Sequence, residues 1–183
     1  MAIFPAYAVE LKTGKEILYR ALGADDSESL LNFRPQIASE STNTMQYVGQ
    51  IYPSIKETAQ RLEAQLADKN ILNIGAYDNN QLIGYLNFRL PYHDHPWAFH
   101  VAQFGMMILK DYWGLGIGKE LLKIQEDYAI EIGVKRIEAM VRAQNTRGVN
   151  LYKKCGYIIE GTRNKAAFIN NEFIDEYFIA KII

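Results

Sequence analysis

Apolar and polar positions alternate at the start of the chain. Tyr7–Lys12 and Glu16–Ala21 both follow a period of two around Lys12-Thr13-Gly14-Lys15, which predicts an opening hairpin. The period then lengthens. Asp25 with Glu28 resembles a capping box, and a helix is predicted from about Asp26 to Ala38. Residues 39–53 are polar and turn-rich and read as a loop or broken helix. Ser54-Ile55-Lys56-Glu57 is an S-x-x-E box opening a helix to about Ala67. Ile71–Tyr77 and Gln81–Leu90 read as strands joined at Asp78-Asn79-Asn80, and Pro91–Pro96 as a loop. Ala98–Leu109 reads as a long strand in which Gly105 signals a bulge or a close backbone approach. Ile117, Leu121, Ile124, Tyr128 and Ile132 recur at helical spacing, and Gly133 stands where a C-terminal cap would. Arg136–Arg142 is a strand, and Thr146–Lys154 a short helix stopped by Gly156. Tyr157–Thr162, Ala166–Ile169 and Phe173–Ile182 read as closing strands, the last two joined at Asn170-Asn171. Antiparallel pairs early and late, with helices between, predict a mixed α/β sheet with helices on both faces.

At the junction of the long strand and the long helix stands Trp113-Gly114-Leu115-Gly116-Ile117-Gly118-Lys119. Glycine costs stability inside either element, so three of them point to a turn whose amides approach an anion. A P-loop needs Gly where Trp113 stands and Ser or Thr where Glu120 stands. A dinucleotide fingerprint needs a third Gly, which falls on Lys119 or on Leu121. Both fail. What survives is G-x-G-x-G, three amides at a helix N-terminus able to ring a pyrophosphate.

Composition narrows the setting. The 183 residues are 49% hydrophobic and 22% charged, an ordinary balance for one domain. A net charge of −1 speaks against nucleic acid or a polybasic membrane anchor as partner. No apolar run is long enough to span a bilayer and no secretory leader is evident, so a soluble, cytoplasmic protein is expected. Cys155 is the single cysteine, which excludes an intramolecular disulfide and a thiolate metal cluster. His93-Asp94-His95 supplies too few ligands for a metal site, and no metal is expected.

A second motif follows: Asn145-Thr146-Arg147-Gly148-Val149-Asn150-Leu151-Tyr152-Lys153-Lys154-Cys155-Gly156-Tyr157. With it the chain resembles the GNAT superfamily of acetyl-CoA-dependent N-acetyltransferases. That family's order is a strand, a Gln/Arg-x-x-Gly-x-Gly/Ala turn, a long helix, a strand, then Asn-x-x-Ala-x-x-Leu-Tyr-x-Lys-x-Gly-Phe/Tyr. The likeness is dense from about His100 to Ile183, and its spelling is nearest the branch of ribosomal-protein N-terminal and polyamine acetyltransferases. It implies a mostly antiparallel GNAT-type sheet in a single acetyltransferase domain over 1–183. Residues 1–97 would form the substrate-side half and 98–183 the acetyl-CoA-binding half.

The resemblance implies roles for particular residues. The pantetheine arm would pair with the backbone of Met107, Ile108 and Leu109. The diphosphate would sit on the amides of Trp113, Gly114, Leu115, Gly116, Ile117, Gly118 and Lys119. Trp113 replaces the usual Gln or Arg, so a side-chain phosphate contact is missing and the amides must do more; otherwise it is a partly buried packing residue. Asn145 matches a cofactor-contacting Asn and would also serve as a plain N-cap. Tyr152 matches the tyrosine that protonates the leaving CoA thiolate, against the alternative of a core aromatic. Lys154 reaches the cofactor's phosphates or is a solvated lysine. Cys155 is read as a small buried residue and not a nucleophile.

The implied reaction is direct attack of a neutral amine on the thioester in a ternary complex, with a backbone N–H near Ile108 polarising the carbonyl. Gln103 stands where relatives often have an acid, and Gln is no base. Glu138 on the next strand is the substitute, with a water chain and His100 as alternatives. The acceptor is a small-molecule or peptide amine. Specificity is expected from residues 39–53, the Pro91–Pro96 loop, where Asp94 could attract a cation, and the Asn170-Asn171 hairpin. The apolar strand Phe173–Ile182 leaves open a homodimer paired or packed there, or burial inside the sheet. A non-catalytic acyl-CoA-binding regulatory module is the alternative function, favoured by Gln103 and opposed by Tyr152.

Overall fold

The computed structural model describes residues 4–183. They form eight strands and four α-helices. The chain packs as two compact units that interleave in sequence. One runs up to Phe88 and takes in Met106–Leu121; the other comprises Arg89–Gly105 and Leu122–Ile183.

In the first unit β1 (Tyr7–Glu10), β2 (Glu16–Ala21), β3 (Ile71–Asp78) and β4 (Gln81–Arg89) lie in that order, followed by the C-terminal end of β5 (Val101–Ile108). The pairs β1–β2 and β2–β3 are antiparallel. Both faces of β3 are buried, as a strand between two layers of helix requires. Asn73 of β3 donates to Gln65 of α2 (Ile55–Ala67) at 2.9 Å, which fixes one face. On the other, a Cβ at Gly84 would meet Ala76 and Ile117 at 3.3 and 3.4 Å, so Ile117, the first residue of α3 (Ile117–Glu131), packs there. Helices on both faces follow.

Helix α2 starts as its sequence prescribes. Ser54 Oγ accepts from the Glu57 N–H at 3.2 Å, and Glu57 Oε2 accepts from the Ser54 N–H at 2.8 Å. Helix α1 (Ser27–Glu40) does not use the Asp25–Glu28 box; Asp26 is its N-cap, without a side-chain cap bond. The Asp26 carboxylate is taken instead by Arg20 at 2.6 and 2.7 Å, the Gly23 N–H at 2.9 Å and the Tyr77 hydroxyl at 2.8 Å. The ion pair with Arg20 and the bond from the distant Tyr77 have displaced the local cap.

The second unit pairs the start of β5 with β6 (Arg136–Arg142) in parallel, over Val101–Gln103 and Arg136–Glu138. Strand β8 (Glu172–Ile182) lies antiparallel between β6 and β7 (Ile158–Ile169). The two expected strands Tyr157–Thr162 and Ala166–Ile169 are thus one twelve-residue strand. Register shifts at Ile159/Gly161 and Arg163/Ala167, with Lys165 at φ 53°, produced the apparent break. Asn170 and Asn171, at φ 50° and 65°, make the closing hairpin turn. Because β8 is flanked on both sides, its backbone cannot pair across a dimer; only its outer face remains free for contact.

Candidate active site

In the first unit, β5 ends at Ile108 and a single helical turn, Lys110–Tyr112, leads into the glycines. Gly114 and Gly116 have φ of 82° and 92°, a conformation costly for any residue with a Cβ. A Cβ on Gly116 would meet nothing within 4 Å. The requirement there is therefore the backbone angle, and the space over the turn is open. The Glu120 N–H bonds to the Gly116 carbonyl at 3.1 Å. The amides of Ile117, Gly118 and Lys119 precede that bond and have no carbonyl within the helix to meet, the usual state of a helix N-terminus. Amides aimed along the positive end of a helix dipole suit a diphosphate.

Trp113 is half-buried, and its indole N–H donates to the Ile108 carbonyl at 2.7 Å. The side chain is thus spent on the protein's own strand. Met107 and Ile108 are half-buried, Leu109 is buried, and the Leu109 N–H donates to the Ile83 carbonyl at 3.0 Å. Lys119 is exposed.

In the second unit, Tyr152 stands on α4 (Thr146–Lys154). Its ring meets Phe104 and Tyr157 with centroids 5.7 and 5.8 Å apart, edge to face. Tyr157 closes the triangle with Phe104 at 5.6 Å, and its hydroxyl accepts from buried Gln125 at 3.0 Å. Burial raises the Tyr152 phenol well above its ordinary value, so it stays protonated at physiological pH and is a weaker acid than a free phenol. Asn145 caps α4, its Oδ1 accepting from the Gly148 N–H at 3.0 Å. A Cβ on Gly148 would fall 2.6 Å from the Asn145 amide nitrogen. The glycine in this motif therefore protects the cap. Lys154 is exposed in the last turn of α4.

Gln103 and Glu138 are partners in the β5–β6 register, and Gln103 Nε2 donates to Glu138 Oε1 at 3.1 Å. Glu138 Oε2 also receives the Arg136 Nε–H at 2.9 Å. Successive strand residues point to opposite faces, so this pair projects away from the face on which Phe104 meets Tyr152. Half-buried His100 has its ring against Phe99, and its carbonyl accepts from Lys135 at 3.0 Å.

One sequence expectation needs correction. Cys155 is half-buried, because it forms the C-cap of α4 rather than part of its packed face. Gly105 is exposed, and a Cβ there would meet no protein atom within 4 Å. His93 bonds Asp94 at 3.0 Å and the Leu90 carbonyl at 3.2 Å, while His95 accepts from the Trp97 N–H at 3.3 Å. Among the described residues no group of three or more His, Cys, Asp or Glu could hold a metal. The supports of Tyr152, namely Phe104 and Tyr157, escaped the sequence reading. Their aromatic character was visible, but only the parallel pairing of β5 and β6 sets the face on which Phe104 lies.

The sequence pattern of the Acetyltransferase (GNAT) family matches residues 36–157, and the chain belongs to that family. An L-amino acid N-acetyltransferase, AaaT, of Escherichia coli (strain K12) is 30% identical over 122 residues, 66% of this chain and 74% of that enzyme. A spermidine N(1)-acetyltransferase of Vibrio cholerae is 31% identical over 75 residues, 40% of this chain and 43% of the other. The crystal structure of a GNAT-family acetyltransferase from Streptococcus pneumoniae superposes with a TM-score of 0.85 at 27% identity, covering 91% of this chain and 99% of that one. The protein is accordingly an acetyl-CoA-dependent N-acetyltransferase that acts on an amine.

Proposed function

We propose that the acceptor is the primary amine of an L-amino acid or short peptide, attacked directly in a ternary complex with acetyl-CoA. The observation that carries this reading is the character of the loops expected to meet the acceptor. Residues 41–53 expose Met45, Tyr47, Val48 and Ile51, and residues 91–100 expose Tyr92, Trp97 and Phe99, with Asp94 the one carboxylate in either segment. Such loops suit an amine carried on a compact, partly apolar body better than a polycation. The relative with the broader match is named for L-amino acids.

Roles are assigned as follows. The amides from Trp113 to Lys119 hold the diphosphate, and the backbone of Met107, Ile108 and Leu109 holds the pantetheine arm. An N–H near Ile108 polarises the thioester carbonyl. The amine attacks, the tetrahedral intermediate collapses, and the C–S bond breaks. Tyr152 gives its proton to the departing thiolate, and Asn145 and Lys154 flank the cofactor. The ammonium proton leaves through water, because Glu138, held by Gln103 and Arg136, projects to the sheet face opposite the one on which Phe104 meets Tyr152. Cytoplasmic residence fits this cosubstrate and a free thiol.

A homodimer is also proposed, built on the outer face of the second unit. Met140 lies opposite Phe178 there, and the face's ions Arg136, Glu138, Glu160, Arg163 and Glu176 are paired among themselves. A face with its charges already answered asks a partner for apolar surface, which a second copy supplies symmetrically.

The test is CoA thiol release with L-amino acids, short peptides and spermidine. Turnover with amino acids or peptides, reduced about 100-fold in kcat by Tyr152→Phe, is the expected outcome. Turnover with spermidine alone overturns the substrate assignment. Acetyl-CoA binding without turnover on any amine supports the regulatory module instead.

A further inference from the structure

We propose that Trp113 is a positioning residue, whose indole N–H holds the glycine turn in its cofactor-binding shape. The inference rests on the assignment of the diphosphate to that turn. Glycines at 114 and 116 reach the required angles but cannot hold them, because a residue without a side chain has nothing to anchor. The anchors must come from the residues just before. Three are present. The Lys110 N–H donates to Glu40 Oε2 at 2.7 Å. The Tyr112 hydroxyl donates to Asp78 Oδ2 at 2.8 Å, an oxygen that Lys15 also meets at 2.7 Å. The third is the indole bond from Trp113 to the Ile108 carbonyl.

The third differs from the others in what it joins. It ties the last residue of β5 to the residue adjoining Gly114, so it closes a loop over Leu109, Lys110, Asp111 and Tyr112. Inside that loop the Tyr112 N–H bonds the Leu109 carbonyl at 3.0 Å and the Trp113 N–H the Lys110 carbonyl at 3.1 Å. The strand end, which would carry the pantetheine arm, and the turn, which would carry the diphosphate, become one rigid piece. A binding loop already held in its bound shape loses less entropy when the ligand arrives. This offers a physical reason for an aromatic donor where the family commonly has a phosphate-contacting Gln or Arg: affinity given up in a direct contact is recovered in pre-organisation. The Ile108 carbonyl also has one lone pair committed to the protein, leaving one for an amide of the arm.

The experiment titrates acetyl-CoA calorimetrically into the full chain as wild type, Trp113→Phe, Trp113→His and Gly116→Ala, with the ligand-free melting temperature of each. Trp113→Phe keeps a ring and loses the donor. Its Kd for acetyl-CoA should rise about threefold to tenfold, the size of one lost hydrogen bond. Trp113→His restores a ring N–H and should recover part of the affinity. In a Trp97→Phe background Trp113 is the sole indole, and its emission should change on adding acetyl-CoA. Weakened binding in Gly116→Ala with wild-type affinity in Trp113→Phe overturns the role of Trp113 alone. Wild-type affinity in both variants overturns the assignment of the diphosphate to the turn, and this proposal with it.

Discussion

Asp26 is buried, and three groups converge on its carboxylate. Burial by itself would raise its carboxyl; the Arg20 guanidinium, the Gly23 N–H and the Tyr77 hydroxyl together hold it below the ordinary value of 3.8. A folded-state value below the unfolded one contributes stability that is present above pH 3.8 and lost as pH falls through the lowered value. Asp26→Ala leaves a guanidinium, a phenol and an amide without their acceptor, which should cost about 2 kcal/mol or more near neutrality. Thermal melts of both proteins across pH should show that gap at pH 7 and its closing below about pH 4. A gap that persists undiminished in acid would mean the loss is packing rather than ionic.

Elements with a strong local signal were legible in the sequence. The boundaries of β6 and α4 agree with expectation, because Arg136–Arg142 alternates cleanly and Asn145 and Gly156 punctuate the short helix. The Ser54–Glu57 box opened α2 as read. What failed was non-local. The start of α1 lies where expected, but the Asp25–Glu28 box does not form, because Arg20 and the distant Tyr77 claim Asp26. The continuity of β7 was missed because its register shifts look like a turn. For the candidate site, the glycine turn was legible from its spacing and Tyr152 only from the family resemblance, whereas the face on which Glu138 projects depends on strand pairing. Helix α4 offers a test at this scale. Gly148→Ala would raise helix propensity yet force Asn145 out of its capping position, so a net loss of about 1 kcal/mol is expected. Chemical denaturation should show it, and kcat should fall with it, since Tyr152 is carried by the same short helix. A gain in stability would show that the cap contributes less than the propensity.

At the scale of the molecule, one face of β6, β8 and β7 exposes a group of apolar side chains. Met140 is 54% exposed, Phe178 46%, Ile158 60% and Ile182 66%, and the register puts all four on the same side. Light scattering after size exclusion should give a dimer for the wild type and a monomer for Phe178→Glu, with the melting temperature of the monomer little changed at low protein concentration. A monomeric wild type at tens of micromolar overturns the dimer.

The interleaving of the two units has a practical consequence for anyone cutting the gene. Strand β5 changes unit between Gly105 and Met106, and helix α3 between Leu121 and Leu122. No single break in the chain yields one unit whole. A fragment ending at Phe88 lacks Met106–Leu121, including the glycine turn, and one beginning at Leu122 lacks the start of β5 that pairs with β6. Neither is a module that recombination could move intact into another protein. Insertions and deletions should therefore be tolerated in the loops and not within β5 or α3, where the chain passes between units.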